Sequence, residues 1–306
     1  MPYYIGVDGG GTKTAYALFD ERKELLRLHK GPGTNHENLE GSFDEAARLL
    51  WEGVQALLRE AGLAVDGIAF AFMGLAGVDH PFQYEALMGR LQGFGLTRLE
   101  IVNDGFIVVK AGCRSGAGIG LNLGTGTCCN AIDRRGRRAM LAGLGEFSGD
   151  IGNGEWIAQQ AFKCAYDDCI LGIEASAVTP LIFSKFDLEQ PGDLLSLLDG
   201  REITKTLIDV FFEAVNAGDP PAMRLAQQMA RRGAQLIAAH LRALDFDDPC
   251  EVVLSGSMHT RLPCEVYVGL LKQKAQALSG RALVFRKLDV PPVTGCVNWI
   301  MEEYAG

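Results

Sequence analysis

The sequence predicts an α/β chain of two domains. Short apolar strands alternate with amphipathic helices, which implies parallel pairing and a sheet covered on both faces. The pattern strand, glycine-and-threonine turn, strand, polar turn, strand occurs twice, once at each half's start. The length of 306 residues suits about two cores of ordinary size.

Taken in order, Tyr3–Asp8 is a short apolar strand ending in Asp8-Gly9-Gly10-Gly11-Thr12-Lys13-Thr14. Ala15–Phe19 and Leu25–His29 follow as strands about the polar turn Asp20-Glu21-Arg22-Lys23. Phe43 to Leu58 places Phe43, Ala46, Leu50, Val54 and Leu57 at helical spacing. Ile68–Met73 is a buried strand, Phe82–Leu91 a helix and Leu99–Val102 a strand. Near residue 117 the pattern restarts: strand Gly118–Leu123, turn Gly124-Thr125-Gly126-Thr127, then strands Cys128–Asp133 and Arg138–Ala142. Helices are predicted over Gly154–Ala165, Ala175–Phe183, Thr204–Asn216 and Pro221–Leu244. Strand Val252–Leu254 runs into Ser255-Gly256-Ser257, before helix Glu265–Leu278 and strand Ala282–Phe285. Pro291-Pro292 opens a last helix, with proline in the first turn where its missing N–H costs least.

The formal charge of −9 repels phosphate backbones, so nucleic acid is not an expected partner. Arg134, Arg135, Arg137 and Arg138 straddle Gly136 and read as a hairpin tip, not a binding patch. The start MPYYIGVDGGG carries no basic-then-apolar signal, and no apolar run is long enough to span a bilayer. Eight cysteines form no CxxC pair and no ligand spacing with histidine, which fits reduced thiols in a cytoplasmic protein.

Glycine turns let backbone N–H groups approach an anion closely, and Thr12, Thr14, Thr125 and Thr127 add hydroxyl donors. That holds a polyphosphate without a P-loop, whose G-x-x-x-x-G-K-[ST] pattern is absent, as is a dinucleotide G-x-G-x-x-G after the first strand. Asp8 ends the first strand, where a carboxylate holds Mg²⁺ through water. Asp104, after strand Leu99–Val102, reads either as a helix N-cap or as a general base for a substrate hydroxyl, and the flanking phosphate turns favour the base. Asp150 either caps the following helix or binds hydroxyls. No G-x-S-x-G elbow or HExxH motif supports hydrolase chemistry.

Together the first turn at Asp8–Thr14, the second at Gly124–Thr127 and the late turn Leu254-Ser255-Gly256-Ser257 resemble the sugar kinase/Hsp70/actin ATPase superfamily. There they correspond to two phosphate turns and an adenosine turn. The resemblance is closest to the N-acetylglucosamine kinase branch, which also contains the BadF/BadG-type ATPases. Gly33-Thr34-Asn35-His36, Gly74-Leu75-Ala76-Gly77-Val78-Asp79, Asn103-Asp104 and Gly149-Asp150-Ile151-Gly152 fall where that branch places its sugar contacts and catalytic aspartate. The resemblance covers nearly the whole chain. It implies two ribonuclease H-like, actin-like ATPase domains around an interdomain cleft. Residues 1–117 would form the first, with the final helix 292–306 packing back on it, and 118–291 the larger, helix-rich second.

Carried over residue by residue, the resemblance implies that Asp104 is the base. Asn35, Gly77, Thr127, Gly145, Glu146 and Asp150 would join Asp104 around the sugar. Gly9, Gly10, Gly11, Thr12, Lys13, Thr14, Gly124, Thr125 and Gly126 would hold the phosphates of ATP, Gly256 and Ser257 the nucleoside, and Asp8 the Mg²⁺. The implied reaction is ATP-dependent phosphorylation of an amino sugar, N-acetylglucosamine at its 6-hydroxyl, by a cytoplasmic homodimer. The branch's tryptophan and G-D-E/Q-G turn are replaced here by Gly143-Leu144-Gly145-Glu146-Phe147 and Gly149-Asp150-Ile151-Gly152, and Glu146 points to glucosamine as the alternative substrate. A BadF-type ATPase acting on a partner protein is a second class. It needs cluster-binding cysteines, and Cys164 and Cys169 lie among hydrophobic neighbours. A sugar-sensing regulator needs a DNA-binding segment, which is not expected in a chain opening directly on its first strand.

Overall fold

The computed structural model describes residues 2–199 and 202–304. The chain divides into two compact units, Met1–Gly120 with Leu288–Gly306, and Leu121–Lys287.

The first unit is built on β1 (Tyr3–Gly9), β2 (Lys13–Phe19), β3 (Leu25–Pro32), β4 (Ile68–Leu75) and β5 (Leu99–Val102). They pair in the order β3-β2-β1-β4-β5. β1, β2 and β3 are antiparallel neighbours, whereas β1, β4 and β5 run parallel. The parallel strands therefore deliver their C-terminal ends to one edge, the usual location of ligand sites in such sheets. Asp8 pairs with Gly74, and Gly74 with Val102, so three segments leave the sheet at the same level.

Helices α1 (Ser42–Ala61), α2 (Pro81–Gly93) and α3 (Asp104–Gly112) complete this part of the chain. Ala46, Leu50, Val54 and Leu57 of α1 are fully buried at the predicted spacing, in a core with Ile5, Val7 and Met73. Truncating a leucine such as Leu50 there to alanine costs about 2–5 kcal/mol. Leu58 is buried too, and Gly62 ends the helix in a left-handed turn at φ +67°.

The second unit repeats the sheet. β6 (Gly118–Leu123), β7 (Thr127–Ile132), β8 (Arg138–Ala142), β9 (Cys250–Ser255) and β10 (Leu283–Lys287) pair in the order β10-β9-β6-β7-β8. Read from the other edge, this is the order of the first sheet, as a duplicated domain requires. Between β8 and β9 stand α4 (Gly154–Cys169), α5 (Val178–Phe186), α6 (Asp193–Ser196), α7 (Thr204–Asn216) and α8 (Pro220–Ala243). α9 (Ser257–Thr260) and α10 (Glu265–Ser279) follow β9. The short α6 has too few residues to show a period and was not predicted. At the arginine-rich hairpin tip, Arg137 pairs with Asp133 at 2.7 Å, and Arg134 and Arg135 with Asp245 at 2.8 and 3.0 Å. The basic cluster is thus locally neutralised.

The last helix, α11 (Thr294–Glu303), belongs to the first unit, where Trp299 stacks on Phe72 at 4.8 Å and Tyr304 on Phe70 at 4.4 Å. It begins later than the sequence suggests: Pro291 and Pro292 form the turn before it, their carbonyls accepting from Thr294 and Gly295. All eight cysteines are free, and no helix among the described residues is long and apolar enough to cross a membrane.

Candidate active site

At the edge where β1, β4 and β5 end, the first glycine turn is pinned from both sides. The Gly9 carbonyl accepts from Ala76 N at 2.8 Å and the Gly10 carbonyl from Thr34 N at 3.0 Å. The buried hydroxyls of Thr14 and Thr34 bond at 2.9 Å. Gly33 is obligatory here, because a Cβ on it would lie 2.2 Å from the Gly11 carbonyl oxygen. The exposed amides of Gly11 and Thr12 donate to no protein acceptor among the described residues. Lys13 stands exposed beside them. Such free amides at a tight turn are donors for an anion.

Asp104 is the first residue of α3, not its cap. The cap is Asn103, whose Oδ1 accepts from Gly105 N at 2.9 Å while its Nδ2 donates to Asp79 Oδ1 at 2.7 Å. Asn103 therefore ties the head of α3 to the loop after β4. In that loop Gly77 adopts φ +79°, and a Cβ there would meet Asn35 Oδ1 at 2.4 Å. Asn35 in turn accepts from Glu37 N at 3.0 Å. His36 stacks on Phe43 at 4.0 Å, and burial lowers its pKa.

Three carboxylates gather here, and their electrostatics are unusual. Burial pushes the Asp104 carboxyl up to about 7, and the neighbouring charges of Asp8 and Asp79 push the same way, against the amide of Gly105. Burial raises Asp8 to about 6, with Lys13 pulling back. Asp79 is raised too, by burial, against the hydrogen bond from Asn103. Acids held near neutrality where parallel strands end make this edge the candidate reactive site.

In the second unit the turn after β6 is closed by Gly124 N donating to Gly126 O at 3.0 Å, and the head of α4 docks on it through Gly154 N to Gly124 O at 2.9 Å. Thr125 and Gly126 are exposed, and their amides also lack protein acceptors among the described residues. Thr127 is buried and donates to Ile151 O at 3.4 Å. Gly256, at φ +82°, passes so close to β6 that a Cβ would lie 2.1 Å from the Leu123 carbonyl oxygen. Ser257 then begins α9.

Asp150 caps no helix; Asn153 caps α4, accepting from Trp156 N at 2.8 Å. The Asp150 carboxylate instead gathers its own loop: Oδ2 accepts from Gly143 N and Gly145 N, each at 2.9 Å, and Oδ1 from Ser148 Oγ at 2.7 Å. A carboxylate has about four acceptor positions, so one on Oδ1 remains for a ligand. The Glu146 side chain lies outside the described residues.

The structure thus brings Asp8, Asn35, Gly77 and Asp104 together at one sheet edge with the first turn, and Thr127, Gly145 and Asp150 together beside the second. Sequence reasoning did not single out Asp79 or Asn103 as separate members. Their signal was present in the spacing of strand ends, since both follow parallel strands.

A model of the BadF/BadG/BcrA/BcrD ATPase family matches residues 5–277. Over 261 residues the chain is 28% identical to the N-acetylmuramic acid/N-acetylglucosamine kinase of Clostridium acetobutylicum, covering 83% of this chain and 84% of that one. Among solved structures, a provisionally assigned N-acetylglucosamine kinase from Chromobacterium violaceum superposes with a TM-score of 0.69 at 21% identity, over 98% of this chain and 99% of that one. A ROK family glucokinase from Streptomyces griseus, in complex with glucose and AMPPNP, gives 0.61 at 18% identity, over 97% of both chains. The two likenesses fix the fold as the two-domain, actin-like ATPase fold of sugar kinases.

Proposed function

We infer that this chain, which belongs to the BadF/BadG/BcrA/BcrD ATPase family, is a kinase that phosphorylates an amino sugar, N-acetylglucosamine, at its 6-hydroxyl with ATP. The observation that carries the reading is Asp104, a carboxylate raised to about 7 at the same sheet edge as a turn of unpaired amides. A group of that pKa is part ionised at neutral pH and accepts a proton readily from a hydroxyl that is losing it. In a loose phosphoryl-transfer transition state, positioning and charge stabilisation supply most of the acceleration. Asp104 orients the acceptor hydroxyl and takes its proton, and Asn103 keeps the head of α3 in place. The amides of Gly11, Thr12, Thr125 and Gly126 donate to phosphate oxygens.

The Asp8 carboxylate suits Mg²⁺: no hydrogen-bond donor reaches it among the described residues, and only Lys13 offsets its burial. No group of three or more acidic, His or Cys side chains forms a metal cage among those residues. Asp8 would therefore hold the ion alongside water and phosphate oxygens. Bound there, the ion neutralises charge on the transferring group.

The Clostridium relative, named for two N-acetylated sugars, supports N-acetylglucosamine over glucosamine. The test is ADP release over N-acetylglucosamine, N-acetylmannosamine, glucosamine and glucose, with the phosphorylated position read by NMR. The highest kcat/KM should fall on N-acetylglucosamine and the phosphate on its 6-oxygen. ADP release that no sugar stimulates would reject the kinase reading. Light scattering checks the homodimer and fractionation the cytoplasmic location that belong to the same reading.

A further inference from the structure

The loop that carries Asp150 turns through four left-handed residues, of which only Ala142 lacks glycine's freedom. Ala142, Gly143, Gly145 and Gly149 all have left-handed φ, at +63°, +93°, +63° and +64°. A single non-glycine residue in that region already costs of order 1 kcal/mol or more. The Asp150 carboxylate gathers the loop from inside, through Gly143, Gly145 and Ser148. Ser148 Oγ also accepts from Leu144 N at 2.9 Å, so Ser148 joins both ends of the turn. From outside, the loop rests on α8. Met229 of that helix lies where it would touch a Cβ on Gly152, 3.3 Å away, and three residues on, the Arg232 guanidinium lies 3.6 Å from the Cβ position of Gly149. Residues three apart share a helix face, so Met229 and Arg232 form one platform.

Arg232 does more than pack. Its Nη2 donates to the Ser148 carbonyl oxygen. Its Nε is buried and has no acceptor, and no carboxylate pairs with it among the described residues. A cationic donor kept half-buried without an acidic partner forfeits hydration that a surface arginine keeps. Among the described residues, the polar contact that it gains is with the Asp150 loop.

We propose that Arg232 is the positioning residue of the sugar-binding loop. It fixes Ser148, and through Ser148 it sets the orientation of the Asp150 carboxylate, whose remaining lone pair meets a sugar hydroxyl. This rests on the kinase reading for the identity of the ligand, but not for the loop geometry. Among the described residues Arg232 bonds to no residue of the turn at Gly124–Thr127, so its effect is expected on sugar affinity.

The experiment compares Arg232→Gln and Arg232→Lys with the parent. A hydrogen bond from a charged donor is worth about tenfold or more in an equilibrium. Arg232→Gln should therefore raise the sugar KM about tenfold while the ATP KM stays within about twofold, and Arg232→Lys should recover part of the loss. Hydrogen exchange provides a readout independent of turnover: the amides of Gly143 and Gly145 should lose protection in Arg232→Gln and keep more of it in Arg232→Lys. If the glutamine variant does not fold, the lysine variant alone decides, with reduced protection at those amides expected relative to the parent. An unchanged sugar KM, a parallel rise in both KM values, or parental exchange at Gly143 and Gly145 overturns the proposal. A parent enzyme that phosphorylates no sugar overturns the functional reading instead, and leaves the exchange result to judge the loop.

Discussion

The two sheets have one strand order and opposite chemistry. At the edge of the first, β1 ends beside Asp8 and α3 starts at Asp104, both acids held well above the usual carboxylate range. At the edge of the second, β6 ends in Asn122-Leu123 and β9 in Ser255, followed by Gly256. There Ser255 Oγ donates to Asn122 Oδ1 at 3.1 Å, and neutral groups satisfy one another. The crossovers differ as well. One long helix, α1, joins β3 to β4, whereas α4 to α8 stand between β8 and β9. A duplicated sheet supplies the same amide-bearing turn twice, and side chains distinguish the two edges. On the proposed reading, the raised acids make the first edge the place of proton transfer. The second edge carries a glycine passage beside β6 and a loop gathered by a carboxylate that keeps one acceptor position free.

The contrast is broken most severely at Asp104. Asparagine cannot accept a proton, so Asp104→Asn should lower kcat by roughly two to four orders of magnitude. The fold should survive, because Asn103 supplies the cap. The sign of the stability change sharpens the point. An aspartate raised to about 7 in the fold, from an ordinary 3.8, is bound to its proton more tightly when folded. Its stabilising contribution is complete below about pH 4 and is lost as pH rises through 7. Asp104→Asn should therefore melt at or above the parent temperature at pH 8, and a clear drop there would make Asp104 a structural acid.

Next comes the first turn. A Cβ on Gly10 would meet only the Lys13 carbonyl oxygen, at 3.3 Å, a tight contact but a far smaller disturbance than the 2.1 Å collision at Gly256, so a melting curve should accompany the kinetics. Gly10→Val should raise the ATP KM about tenfold or more with little change in sugar KM, read from initial rates. The same substitution at Gly256 is a poor test, since the collision with Leu123 would disturb β6 itself. The smallest of the three effects is expected at Asp150. Asp150→Asn keeps one acceptor oxygen but loses the charge that gathers two amides and a hydroxyl. A rise of about three- to tenfold in sugar KM is expected, with kcat changed less. A kcat loss matching that of Asp104→Asn would put proton transfer in the second unit and dissolve the contrast.

Much of this edge was legible in the sequence because it depends on local rules. Alternating strands, paired glycine turns and an aspartate just past a strand end carry their positions in their spacing. Asp104 read as either cap or base because Asn and Asp cap equally well, and only the bond from Gly105 N to Asn103 Oδ1 shows that Asn103 is the cap. Asp150 looked free to cap or bind because nothing local shows that three loop donors converge on it. Arg232 was illegible for a different reason. It sits in a helix beside Arg231 and reads as solvent face, yet its acceptor lies 84 residues away in the chain. Contacts of that separation are set by packing, which periodicity does not encode.

The central claim is that Asp104 accepts the proton with a pKa lifted by burial and by its acidic neighbours. The direct measurement is kcat/KM for N-acetylglucosamine from pH 5 to 9 in the parent and in Asp104→Asn, at saturating ATP. The parent should show activity rising with pH through about 7, the value expected for this carboxyl, and the residual activity of the variant should lose that limb. A limb at the same pH in both proteins would assign the titration to another group and contradict the account.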